Sequence, residues 1–124
     1  MAKFASDNIL DGLLDRVAVT TVLRVCSSQP ADFAAAVTAT LASVAMQGAD
    51  FTKANGDTSG RKVTVAQQSA ISISASGTAT HVVLTKEDVS PSLLEYGTTC
   101  TSQALTSGGT VTVPAWDIEV ADPT

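Results

Sequence analysis

The sequence predicts a small, mainly β protein: an antiparallel β-sandwich or β-barrel of about seven strands with a short N-terminal α-helix. Three observations carry this expectation. From Phe51 onward, short aliphatic residues alternate with hydroxyl and charged residues, as a strand with one buried face requires. Turn-forming clusters interrupt that pattern roughly every 8 to 12 residues, the spacing of sandwich and barrel folds. A clear helical stripe of apolar residues is confined to the first segment.

The helix is expected over about residues 6–17. Ser6 or Asp7 can cap it by accepting backbone N–H groups that have no partner inside the helix. Ile9, Leu10, Leu13, Leu14 and Val17 form its apolar stripe, and Asp7, Asp11 and Asp15 line another face, the first of them complementing the helix dipole. Gly12 costs about 1 kcal/mol relative to Ala, so the helix needs a surface to pack on.

A β domain is expected over about 19–121, and the whole chain, 1–124, reads as one domain without repeat or linker. Thr20 to Cys26 reads as a strand ended by Ser27-Ser28-Gln29-Pro30, because proline removes a ladder donor. Residues 31–46 are ambiguous: Phe33, Val37, Leu41 and Val44 have helical spacing, while Val37 to Thr40 suits a strand. One short helical turn after Pro30, then a strand from about Thr38 to Met46, is the reading preferred. Asn55 to Gly60 is a turn. Val63 and Val65, Ile71 and Ile73, Thr78 to Thr85, and Leu93 to Cys100 mark further strands, with a polar loop from Lys86 to Pro91 and a turn at Thr106 to Gly109. In the last segment the apolar set shifts from odd positions (Val111, Val113) to even ones (Trp116, Ile118, Val120). A strand changes parity only through a bulge or break, here at Pro114-Ala115.

Composition bounds the function. The chain has 124 residues, enough to bury roughly two-thirds of the surface it exposes when unfolded. Hydrophobic residues make up 44%, so a core can form, but aromatics are scarce and the layers must be thin. Ser and Thr together number 30 while charged residues are 15%, which suits a surface of hydroxyl-bearing strands that desolvates easily against a partner. The net charge is −5 and the seven basic residues are scattered, so no basic patch for phosphates is visible and no nucleic acid is expected. No apolar run approaches the roughly 20 residues of a membrane span. The N-terminus turns acidic at Asp7 before any long apolar region, unlike a signal peptide, and the expected site of synthesis is a cytoplasm.

Few side chains in the sequence could do chemistry. His81, the single histidine, lies in an apolar strand without a nearby nucleophile or carboxylate signature; a packed structural histidine is favoured over a catalytic base. Gly56 to Lys62 faintly resembles a phosphate loop. However, it has three residues between its glycines in place of four, Val63 follows Lys62 where Ser or Thr belongs, and a strand follows it. Cys26 and Cys100 with one histidine cannot fill a four-ligand zinc site, and a cytoplasm favours reduced thiols, although sequence separation leaves a disulfide open. The acidic pairs Glu87-Asp88 and Asp117-Glu119 fit no calcium loop and read as solvated surface. The expectation is therefore no enzyme, no catalytic residue, no cofactor and no metal.

Several stretches together suggest a family. Asn55-Gly-Asp-Thr-Ser-Gly-Arg-Lys-Val-Thr-Val65, Gly77-Thr-Ala-Thr-His-Val-Val-Leu84 and Val111-Thr-Val-Pro-Ala-Trp-Asp-Ile-Glu-Val-Ala-Asp-Pro123 are three of them. With Asn8-Ile-Leu-Asp-Gly-Leu-Leu14 and Val25-Cys-Ser-Ser-Gln-Pro30, the chain resembles small virion structural proteins of tailed bacteriophages over nearly its whole length. The resemblance implies a capsid decoration (cement) protein on the outer head surface of a virion, made in the host cytoplasm, with the major capsid protein as partner and a cyclic homo-oligomer, a trimer favoured. It carries over no functional residue. Lys3 and Phe4, and Ala121 to Thr124, are candidate docking arms. The alternatives are a tail or head–tail junction protein, or a carbohydrate-binding module with Trp116 and Tyr96 as its stacking platform.

Overall fold

A computed structural model of the chain describes residues 3–123. It is mainly β, with nine strands in three antiparallel sheets stacked in a sandwich-like arrangement and two helices.

Helix α1 spans Asp7–Ala18 and starts where the sequence places it, with the Ser6 Oγ accepting from the Ile9 N–H at 3.3 Å. Only Leu10, Leu14 and Val17 of the predicted stripe are buried. The acidic face is not left to solvent: Asp11 pairs with Arg61 at 2.8 Å, and Asp15 with Lys53.

Strand β1 (Val22–Cys26) begins two residues later than Thr20, which closes the helix end with its hydroxyl on the Val17 carbonyl at 2.7 Å. The ambiguous segment resolves into helix α2 (Phe33–Ala39) and strand β2 (Thr40–Ala45). The helix is two turns long, one more than expected, because Asp32 caps it by accepting from Ala35 N–H at 2.8 Å and alanines fill it. Strands β3 (Phe51–Asn55) and β4 (Arg61–Val65) form the hairpin around the predicted turn. Strands β5 (Gln68–Ser72), β6 (Gly77–Lys86), β7 (Leu93–Leu105), β8 (Thr110–Val113) and β9 (Trp116–Val120) complete the fold.

The count exceeds seven for two physical reasons. Phe51–Asn55, inside the region already read as β, has one buried residue, so its own periodicity is too weak to mark it as a separate strand. The 111–120 segment is two strands: β8 pairs with β5, and β9 pairs with β4, so Pro114-Ala115 hands the chain from one sheet to another. Strand β7 also runs five residues past Cys100, following β6 through a bulge that leaves residues 100–102 opposite Thr80.

The first sheet has the order β2-β1-β6-β7, the second β3-β4-β9, and the third is the β5-β8 pair. Leu23, Val25, Val82 and Leu84 from the first sheet meet Val63, Val65, Phe51 and Ile118 from the second, Ile71 and Ile73 from the third, and Leu14 and Val17 of α1. The opposite face of the first sheet is covered by α2, where Cys26, Val83 and Ala36 pack.

Gly60 sits at φ +70, and a Cβ there would lie 1.9 Å from the Val120 carbonyl oxygen. Gly60→Ala is expected to lose at least about 2 kcal/mol in urea unfolding, since both the left-handed backbone and the close approach oppose a side chain.

Candidate functional site

The residues able to do chemistry are dispersed. His81 is half-buried on the α2-covered face of the first sheet, and its Nδ1 shares a 2.8 Å hydrogen bond with the neighbouring Thr80 hydroxyl. It lines an open depression of about 330 Å³ with Pro30, Val83, Gly97 and Thr99. Among the described residues, no three His, Cys, Asp or Glu side chains gather as a metal site would require, and no helix is long and apolar enough to cross a membrane.

The two cysteines are free. Cys26 packs with Val83 and Ala36 under α2, while Cys100 packs on the core between the sheets. The two thiols thus face opposite sides of one sheet, a geometry that a disulfide cannot bridge. Burial pushes both thiols above the ordinary range.

Of the acidic pairs, Asp88, Asp117 and Glu119 are exposed as expected, while Glu87 is half-buried and all four are tied into ion pairs or hydrogen bonds. Glu87 accepts from Arg24 through both oxygens, at 2.9 and 3.0 Å, and from the Thr85 hydroxyl at 2.5 Å. Arg24 also donates to Thr40 at 3.2 Å and lies 5.9 Å from the Phe33 ring centroid. This network ties β1, β2, α2 and the end of β6 together on the outer face of the first sheet. Burial works to raise the Glu87 carboxyl, but the hydrogen bonds from Arg24 and Thr85 outweigh it and hold it below the ordinary range. Asp117 accepts from Thr64 at 2.7 Å and Lys62 at 3.3 Å, and the Glu119 carboxylate takes the Asp57 N–H at 2.7 Å. Lys86 pairs with Asp88 at 2.9 Å and Arg16 with Glu95 at 2.5 Å. Six of the seven basic residues are therefore held by carboxylates.

Two uncharged features remain. The first is an apolar row at the helical end: Phe4 is 87% exposed, Ile9 64% and Leu13 58%, and Ile9 and Leu13 stand one turn apart on α1. The candidate arms meet here, since Lys3 and Phe4 share a groove with Asp122 and Pro123; Thr124 lies outside the described residues. The second is a slot along the open side of the sandwich. Strands β7, β8 and β9 each end or border a sheet, and two adjoining cavities of about 240 and 180 Å³ lie between β7 and the β8–β9 corner. Val82, Cys100, Val113 and Pro114 line both. Trp116 lines the larger cavity and packs on Tyr96, with ring centroids 6.0 Å apart. Its indole Nε1–H is the one buried side-chain polar atom without a hydrogen-bond partner among the described residues. The sequence hinted at this slot only through the parity change at Pro114.

The fold is a helix-capped antiparallel β-sandwich, and the apolar row and the slot are its two uncharged surface features. Comparison with protein-family models, curated proteins and solved structures found no match to this chain.

Three outcomes follow from the ionisable groups. Carboxyls held low in the folded state stabilise it above their unfolded pKa, and that contribution is lost as pH falls through the folded one. Glu87, Asp11, Asp88 and Asp117 are all held low, so thermal stability is expected to be level near neutrality and to fall below about pH 4. Glu87→Gln should cost about 2 kcal/mol at neutral pH by leaving Arg24 half-buried without its counter-charge, and should flatten part of the acid limb. Both thiols should count as free by mass spectrometry of the unreduced protein, with Cys26 alkylated only on unfolding.

Proposed function

We propose that this chain is a bacteriophage virion structural protein that works as a capsid decoration protein, binding the outer head surface through the major capsid protein in many copies. The observation that carries the reading is the pair of exposed apolar side chains Ile9 and Leu13, one turn apart on α1. It stands on a helix fixed to the sandwich by Leu10, Leu14 and Val17 and by ion pairs from Asp11, Asp15 and Arg16. Exposed apolar side chains gathered on a rigid element suit docking to another protein.

The remaining surface supports the same reading. Charges already paired within the chain need no rearrangement on binding, and the hydroxyl-rich strands desolvate at low cost. A shell lattice then multiplies each modest contact by its copy number. The sequence resemblance to small virion proteins points the same way.

The test is binding of the purified protein to undecorated heads. Saturable binding in hundreds of copies is expected, with a rise in the temperature at which the heads release their DNA. Ile9→Asp with Leu13→Asp should weaken binding at least tenfold while leaving the melting temperature within a few degrees, because both side chains are exposed. No binding by the unaltered protein at high concentration would sink the reading, and a copy number near a dozen would move the protein to the head–tail junction.

A further inference from the structure

We propose that the slot between β7 and the β8–β9 corner receives the N-terminal arm of a second copy of this chain, with Phe4 as its apolar anchor. The contact deepens the self-associating part of the decoration reading.

The slot has the features of a strand acceptor. Three sheet borders converge on it, so backbone groups of β7, β8 and β9 stand at its rim. Apart from the Gln103 amide, its lining is apolar and hydroxyl-bearing, with Asp117 as the one charged residue. Trp116 adds an independent sign. A buried N–H without an acceptor costs on the order of 1–3 kcal/mol; Trp116 lines the slot, and a turn of its ring as a strand enters would let that N–H meet a backbone carbonyl.

The arm has the matching chemistry. Residues 3–6 have no helical or strand pairing of their own and lead into the helix through an extended Ser6, at φ −73 and ψ 156. Four extended residues span about 13 Å. Phe4 is the most exposed large apolar side chain among the described residues, and the slot's one carboxylate, Asp117, is already held by Lys62 and Thr64, so an apolar anchor meets no unpaired charge there. A second copy brings one arm and one slot of its own, so each slot finds an arm at equal stoichiometry.

Within one chain the two features are apart. The arm lies beside Asp122 and Pro123, past the end of β9, whereas the slot lies at Trp116, where β9 begins. Five strand residues separate them, about 16 Å. The contact therefore joins unlike patches, which closes into a ring when the rotation allows and otherwise propagates. A cyclic trimer is one such ring.

The experiment uses the full chain, without capsids, so that failure here and failure of head binding are read separately. Sedimentation velocity should show a concentration-dependent oligomer that Phe4→Asp reduces to monomer with unchanged far-ultraviolet circular dichroism. Pro114→Arg, at an exposed position of the slot, should do the same. Mixing the two variants should restore dimers only, because one supplies a free slot and the other a free arm. Trp116, the single tryptophan, reports the same event: a peptide of residues 1–8 should shift its emission in the Phe4→Asp protein, and the peptide carrying Phe4→Asp should not. A protein that stays monomeric at high concentration, variants that assemble as the unaltered chain does, or a peptide without effect on Trp116 would each overturn the proposal.

Discussion

The fold depends on the burial of β6 from both sides. Val82 and Leu84 point into the core between the sheets, while Val83 packs beneath α2 and Thr85 is fully buried beside it. A strand covered on both faces gives up the alternation of a surface strand, which is why His81-Val82-Val83-Leu84 reads as a dense apolar run. With β6 fixed, β1 and β7 pair on its two sides, and the inner side chains set the plane against which the second and third sheets stack. The short aliphatic residues make these layers thin, so one missing side chain would be felt across the core.

The Arg24–Glu87 network belongs to the same constraint. It sits where the outer face of the first sheet passes from α2 cover to solvent, a border at which a charge can be held but not ignored. Its several partners satisfy both ions, and its value lies as much in fixing the position of α2 over the sheet as in net stability.

Much of this architecture is legible in the residues. The Ser6 cap, the Asn55–Gly60 turn and the parity change at Pro114 each have a local cause and fall where local rules place them. Strand β3 is marked more weakly: the pattern turns to β at Phe51, but a five-residue strand with one buried residue carries little periodic signal of its own, so it is not counted as a separate strand. The end of α2 was blurred by Val37-Thr38, which favour strands but sit exposed on a helix started by Asp32. Arg24 and Glu87 are 63 residues apart, and nothing local announces their meeting. The slot is a property of how three sheets fail to close on one another, so only the parity change of its lining strand could hint at it.

The crossing at Pro114-Ala115 has a consequence for how this chain can vary. Strands β8 and β9 belong to different sheets, yet their inward residues are phased across a two-residue joint. Inserting or deleting one residue there would leave one strand in place and turn the other inside out, exposing Ile118 or Val111 and burying Asp117 or Thr112. Amino-acid replacements at the joint are tolerable in principle, whereas changes in its length are not. Natural variants should keep that spacing fixed while letting the outlying 106–109 turn grow or shrink.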